Sequence, residues 1–388
     1  MPNRSFIKIV AQYLRRAAVA GVLAFVPIAA AAAAQAQTMS PVQAPLTAWD
    51  AAKMMRVGVN IGNTLENTTT WETGWGNPPI TKEFIDSLAA HGFKTVRVPV
   101  AWDTYAHDGK IDPDKLKRVA EVADWITSDG MFCVINIHWD GGWIDSDDKK
   151  KFARTHIFSP EAEQKFKSYW TQIATYFRDR DQHLIFEGLN EESNFGDPPD
   201  KNAYATLGHV NQLFVDTVRA TGGNNAKRLL IIAGYTTDIQ KTATDRFIIP
   251  HDTAPHELLL SIHYYTPWPF AGMDRDESWG KMRMTWGTKE DLAELRSNFD
   301  KLEAYSKAKD IPVFVGEFGV TNSKDPRSRA KWMLDVALTA ESRDMVPVLW
   351  DTGGDVSRKP PFALSPPLTF VLQQLQSFNA QNPASATP

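Results

Sequence analysis

Eight short apolar runs recur along the chain, at 56–60, 94–98, 132–137, 184–189, 228–233, 258–262, 313–315 and 346–349. Helix-like stretches separate most of them, at 81–91, 113–128, 160–178, 202–220, 289–308 and 326–341, with a last one at 367–378. Helix starts carry cap signals such as Asp112-Pro113 and Ser159-Pro160, an oxygen acceptor followed by a ring that presets helical φ. Only the gap after Ala233 is weak, with a helix candidate near 237–246. Strands separated by helices pair parallel, since a parallel pair needs a long crossover. Eight such units over roughly 330 residues fit one (β/α)8 TIM barrel, an α/β fold. The alternative is an open doubly wound sheet, which usually begins with a Gly-rich phosphate turn. The first turn here, Asn60-Ile61-Gly62-Asn63-Thr64, lacks that spacing.

The runs end in chemistry. Arg97, His138, Asn190, Glu191, His263, Tyr265, Glu317 and Trp350 all sit at or just past their C-terminal ends. A barrel gathers those ends on one face, where active sites lie. Two of the eight are carboxylates, Glu191 in LIFEGLNEES and Glu317 in IPVFVGEFGV. Two carboxylates on one face are what cleavage of a glycosidic bond requires: one ionised to attack the anomeric carbon, one protonated to release the leaving group, with about 5–5.5 Å between them. An Arg beside one lowers its pKa and a nearby negative charge raises the other's. Such chemistry needs no metal or organic cofactor, and none is expected.

Bulk properties narrow the partners. Of 388 residues 43% are hydrophobic, so a large core is available. The net charge of −4 offers no basic field for phosphates, which excludes nucleic acid. A single cysteine, Cys133, lies in an apolar run, reads as a buried small hydrophobe, and allows neither a disulfide framework nor a Cys-based metal site. Arg4, Lys8, Arg15 and Arg16 precede an apolar stretch at 17–34, and Ala34-Gln35-Ala36 fits a small-x-small cleavage site. Residues 1–36 are therefore expected to be an export signal. A retained anchor is the alternative, weakened by the many alanines and by Pro27. Residues 37–46 then form a short tail, 47–378 the catalytic barrel and 379–388 a flexible end. The mature protein is expected to be secreted or periplasmic, monomeric and free of the membrane.

VNIGNT, TVRVPVAW, INIHWDGGW, FEGLNE, SIHYYTPW, VFVGEFG and VLWD, in this order at barrel spacing, resemble glycoside hydrolase family 5, the cellulase family of retaining clan A enzymes. The likeness runs from about Arg56 to about Asp351 and is strongest towards the endoglucanase and xyloglucanase branches. It implies Glu191 as general acid/base and Glu317 as nucleophile, with Arg97 and Tyr265 holding Glu317. It also implies that Asn190 bonds the sugar 2-hydroxyl, that His138 and His263 line that subsite, and that Trp350 is the platform beneath. Trp139 and Trp268 join the expected substrate-binding residues. The substrate implied is a β-glucan polysaccharide, cut internally at β-1,4 bonds. Xyloglucan, mixed-linkage glucan and mannan remain open, as does a non-catalytic carbohydrate-binding protein or a transglycosylase on the same scaffold.

Two positions depart from the family pattern. Glu192 and Ser193 follow the acid/base where relatives commonly have Pro, and Trp139 stands where a second His is common. Other polar residues have plainer readings. Glu187, four residues before Glu191, is expected to lie deeper on the same side of the strand, paired with Arg97. Glu66 either bonds sugar or caps its loop. His107, His156 and His183 are expected to be solvated or loop structure. Asp140 and Asp145 lack the spacing of a calcium loop, and the run Asp147 to Lys151 is read as solvated surface. About half of the loop tryptophans Trp71, Trp75, Trp143 and Trp268 are expected to stack sugars. Trp125, Trp170 and Trp332 are expected to pack helices on the barrel.

Overall fold

A computed structural model describes residues 46–144, 157–191 and 195–383. The export segment, nearly all of the 37–46 tail, Asp145, the 147–151 run, His156, Glu192, Ser193 and 384–388 lie outside these residues. Eight parallel strands close into a barrel: β1 Gly58–Asn60, β2 Thr95–Val98, β3 Phe132–Asn136, β4 Leu184–Glu187, β5 Leu230–Ala233, β6 Leu258–Tyr264, β7 Val313–Phe318 and β8 Val346–Leu349. Each strand pairs with its neighbours in sequence, and β8 returns to β1 through Gly58 opposite Val348. Helices Lys82–His91, Pro113–Ser128, Pro160–Tyr176, Lys201–Ala220, Lys289–Lys309 and Pro326–Glu341 follow the expected stretches, and the weak gap after β5 holds a 3-10 turn, Tyr235–Thr237, and the one-turn helix Ile239–Thr242. Caps behave as read: Asp112 and Ser159 each accept a backbone N–H from the first turn of the helix they open. No helix among the described residues is long and apolar enough to cross a membrane.

Alternation along each strand sorts the side chains. Phe132, Val134, Ile185, Ile231, Leu259, Phe314, Val346 and Val348 form one interior cluster, while Val96, Cys133, Ile135, Phe186, Leu230, Ile262, Val313 and Val315 join the larger cluster under the helices. A helix not anticipated from sequence, Ala48–Met55, belongs to the interior cluster through Ala48, Ala51, Ala52 and Met55. Thr47 caps it, and small side chains let it approach the N-terminal ends of the strands closely. The flexible end expected from Asn379 is also corrected. The last helix, Pro366–Gln381, carries on past it, and the Arg56 guanidinium donates to Asn379 Oδ1 (2.8 Å) and to the Asn382 carbonyl (3.0 Å).

One irregularity matters for function. Ile262 pairs with Val315 but His263 with Glu317; on the other side Pro347 pairs with Val315 but Leu349 with Phe318. Strand β7 therefore carries one extra residue, Gly316, against both neighbours. Strict alternation would put Glu317 on the outer side with Val313 and Val315. The bulge shifts the phase, so Glu317 turns into the barrel and Phe318 joins the outer core.

Candidate active site

Arg97, on β2, is fully buried and organises the floor of the C-terminal face. Its Nε donates to Glu187 Oε2 (2.6 Å), Nη1 to Asn60 Oδ1 (2.9 Å) and Glu317 Oε1 (2.8 Å), and Nη2 to Asn190 Oδ1 (2.7 Å). With no exposed surface, Arg97, counted among the substrate-binding candidates, reaches the cleft only through the residues it holds, Glu317 and Asn190 among them. Glu187 is structural as read, with Ser261 Oγ donating to its other oxygen (2.8 Å). The even spacing from Glu187 is not what presents Glu191, however. β4 ends at Glu187, Leu189 joins the outer core, and the following turn brings Asn190 and Glu191 back over the floor.

Glu317 accepts from Arg97 and from the Tyr265 hydroxyl (3.0 Å). His263 lies between the two glutamates, its Nδ1 at 2.8 Å from Glu191 and 3.5 Å from Glu317. One oxygen of each carboxylate and the imidazole nitrogen all lie within 4.8 Å of one another. That span would also suit a metal ion, but the two carboxylates already bond His263, Tyr265 and Arg97. The two acids differ in access: the Glu191 side chain is 43% exposed and that of Glu317 7%.

Burial pushes Glu317 above the ordinary carboxylate range, against the pull of His263, Arg97 and the Tyr265 hydrogen bond, while the Glu191 charge adds to the rise. The expectation that Arg97 would set a low value is thus overridden by desolvation, and by Arg97 being shared with Glu187. Burial opposes protonation of His263, but the two glutamates outweigh it and raise its pKa. His138 is pushed well below the ordinary value by burial, then by Arg97 and His263. It accepts from the Asn136 amide at Nδ1 (3.3 Å) and stacks parallel to Trp350 with ring centres 5.8 Å apart.

Above the floor is a cleft of about 640 Å³. His138, Trp139, Asn190, Glu191, Tyr265, Trp268, Glu317 and Trp350 line it, whereas Arg97 and His263 lie beneath. Thr321 and Asn322, which sequence reading missed, form part of the wall just past Glu317. Of the four loop tryptophans, Trp71 and Trp143 are buried and Trp75 and Trp268 exposed; only Trp268 lines the cleft. Trp170 and Trp332 are buried beneath helices as expected, and Trp125 is partly buried against the core. Glu66 caps its loop, accepting from the Asn63 and Thr64 amides, and burial pushes its pKa up to about 7. Asp140 likewise serves the β2 loop, accepting from the amides of Trp102, Asp103 and Thr104.

Comparison with known proteins identifies the family. The sequence model for the cellulase family, glycosyl hydrolase family 5, matches residues 57–356. Endoglucanase A of Paenibacillus barcinonensis is 35% identical, over 79% of this chain and 83% of its own length. A xyloglucan-specific endo-beta-1,4-glucanase of Bacteroides ovatus is 32% identical, over 79% of this chain and 65% of its own. Among solved structures, a broad specificity endoglucanase from an uncultured bovine rumen ciliate superposes with a TM-score of 0.74 at 31% identity, covering 86% of this chain and 99% of that one.

Proposed function

Because the chain belongs to glycosyl hydrolase family 5, we propose that it is a secreted, retaining endo-β-1,4-glucanase that cuts glucan chains internally through a covalent intermediate on Glu317. It is a glycoside hydrolase of the cellulase type, and its substrate is a glucan. The observation that carries the mechanism is the approach of Glu191 and Glu317, with oxygens within 4.8 Å. An inverting pair stands about 6.5–9.5 Å apart to admit a water, whereas a retaining pair stands at about 5–5.5 Å.

In the first step Glu317 attacks the anomeric carbon while Glu191 protonates the departing glycosidic oxygen. Arg97 and Tyr265 aim the Glu317 carboxylate, and the Asn190 side chain, fixed by Arg97, faces the cleft to bond the sugar 2-hydroxyl. Esterification removes the negative charge of Glu317, so Glu191 becomes more acidic. It then takes the proton of a water that attacks the same carbon and frees Glu317. The exposure of Glu191 suits a group that exchanges protons with leaving sugar and water, and the burial of Glu317 suits a nucleophile that must exclude water until the ester forms. Trp350, Trp139 and Trp268 offer ring faces to the pyranoses. The export pattern at 1–36 supports secretion, and mature protein should begin at Gln37.

Purified mature protein assayed on carboxymethyl cellulose, xyloglucan, barley β-glucan and mannan, following viscosity and reducing ends together, tests the reading. Rapid viscosity loss on a glucan with products released in the β configuration is expected. Silence on all four from folded protein would favour carbohydrate binding without turnover. Products longer than the substrate would favour transglycosylation. Glu317→Ala and Glu191→Ala should each remove nearly all activity, and with azide and an activated substrate the former should yield a glycosyl azide of inverted configuration and the latter one of retained configuration.

A further inference from the structure

Trp279 is 66% exposed, more than any other large apolar side chain among the described residues, and it lies outside the cleft lining. It sits in a two-residue turn whose ends exchange hydrogen bonds, Glu277 N to Gly280 O (2.9 Å) and Gly280 N to Glu277 O (3.2 Å). The turn is fixed from both sides: Asp276 accepts from the Met282 amide (3.0 Å) and from Lys281 Nζ (2.8 Å), and Arg283 N donates to the Pro269 carbonyl (2.8 Å). A Cβ on Gly280 would come within 4.0 Å of the Met273 sulfur, two residues from Ala271 in the cleft wall. The same wall is tied down where Lys324 donates to the Met273 carbonyl and Thr321 N to the Ala271 carbonyl (3.0 Å). The turn that carries Trp279 thus packs on Pro269 and Met273, in the segment of the wall that follows Trp268.

We propose that Trp279 is a distal binding platform, on which a pyranose of a long glucan stacks after the chain leaves the cleft past Trp268. The inference rests on the glucan-hydrolase reading above. A neutral polysaccharide fits the surroundings better than other occupants. The charges beside the ring pair among themselves, Arg275 with Glu277 and Lys281 with Asp276 (both 2.8 Å), so no unbalanced field recruits an acidic polymer or lipid headgroup. The apolar surface is one ring edged by ions, too small and too polar at its border for a protein interface. The loop's other tryptophan, Trp286, shows the alternative fate: it is buried, stacks near Phe270 and donates to Asp335 (2.9 Å). An aromatic side chain has only two torsions to order, so on a fixed turn it loses little conformational entropy when a sugar face covers it.

The test uses the full mature chain with Trp279→Ala and Trp279→Phe. Kinetics are measured on the polymer that wild type degrades fastest and on cellotetraose, which is short enough to be held within the cleft. For Trp279→Ala a rise in polymer KM of roughly 3- to 10-fold is expected, the scale of one aromatic contact, with cellotetraose kinetics unchanged. Trp279→Phe should recover at least half of the loss. Affinity electrophoresis through the same polymer, in a Glu317→Gln background, should show matching loss of retardation. An unchanged polymer KM, or an equal loss on cellotetraose, overturns the proposal. Failure of wild type on every glucan would instead strike the functional reading, and it shows before any Trp279 variant is made.

Discussion

Arg97 serves two carboxylates with one positive charge, and the variant Glu187→Gln exposes what that sharing does. Glutamine keeps the volume of Glu187 and one acceptor for Arg97 Nε, but removes a buried negative charge. Glu187 and Glu317 bind different nitrogens of one guanidinium, which places the carboxylates on the order of 6 Å apart; at an effective dielectric near 20 their repulsion is about 2–3 kcal/mol. Water in the open cleft screens roughly half of that, leaving about 1 pH unit. The sign is fixed. Losing the Glu187 anion favours ionised Glu317, so the pKa of Glu317 falls from its burial-raised position. The acid limb of kcat/KM, which reports essential groups of the free enzyme, should move to lower pH by about 1 unit. Stability should fall by about 1–3 kcal/mol, because Arg97 keeps only one anionic partner. The assay is a pH–rate profile on a soluble glucan, with circular dichroism to verify the fold. Ser261→Ala is the control: it removes the hydrogen bond to Glu187 without removing charge and should leave the limb in place. A folded Glu187→Gln enzyme whose acid limb stays put, or climbs, refutes the claim that Glu187 competes for Arg97.

Other consequences can be measured directly. A Cβ at Gly316 would meet Phe314 at 3.0 Å and Ser261 Oγ at 3.2 Å, so Gly316→Ala should cost roughly 1–3 kcal/mol by overpacking and lower kcat as the bulge shifts Glu317; a wild-type kcat would show that the bulge does not aim the nucleophile. Burial pushes Glu341 up to about 7 from an unfolded value near 4.5, so the folded state holds the extra proton and stability declines as pH rises through that window. Glu341→Gln should flatten this decline and raise Tm at pH 8, and a variant no more stable there would contradict it. His138, held neutral by burial, should titrate by NMR well below the ordinary histidine midpoint; a midpoint near the ordinary value would overturn that electrostatic reading.

Residue types were more legible than their orientations. Each strand end could be read for chemistry because an acid, a base or a ring at the mouth of a buried run has no packing reason to be there. Arg97, His138, Glu191, His263, Tyr265, Glu317 and Trp350 therefore stood out before any contact was known. What alternation could not supply was phase. In β7 the period of two aims Glu317 outward with Val313 and Val315, and only the pairing of β7 with both β6 and β8 shows the extra residue that reverses it. Gly316 was the sole local trace, an unremarkable letter in VFVGEF until its neighbours were known. Past β4 the same thing happens by a different route, where the strand stops at Glu187 and a turn, not strand spacing, delivers Glu191.

Both catalytic candidates thus occupy places where regular β-structure breaks, and the breaks have a common cause. A closed barrel of short strands packs its interior in layers, and a side chain on strict phase at the rim points into a layer or out to the helices. To bring two carboxylates from β4 and β7 within reach of one sugar carbon, each must leave that lattice. The floor beneath them remains regular and rigid: Arg97, Glu187, Asn60 and Ser261 stay on phase, buried and mutually bonded. That division predicts where substitutions will divide in effect. Changes to the on-phase floor should move pKa values and stability together, whereas changes at the bulge or the β4 turn should move rate more than either, because they displace a reacting group without altering its charge.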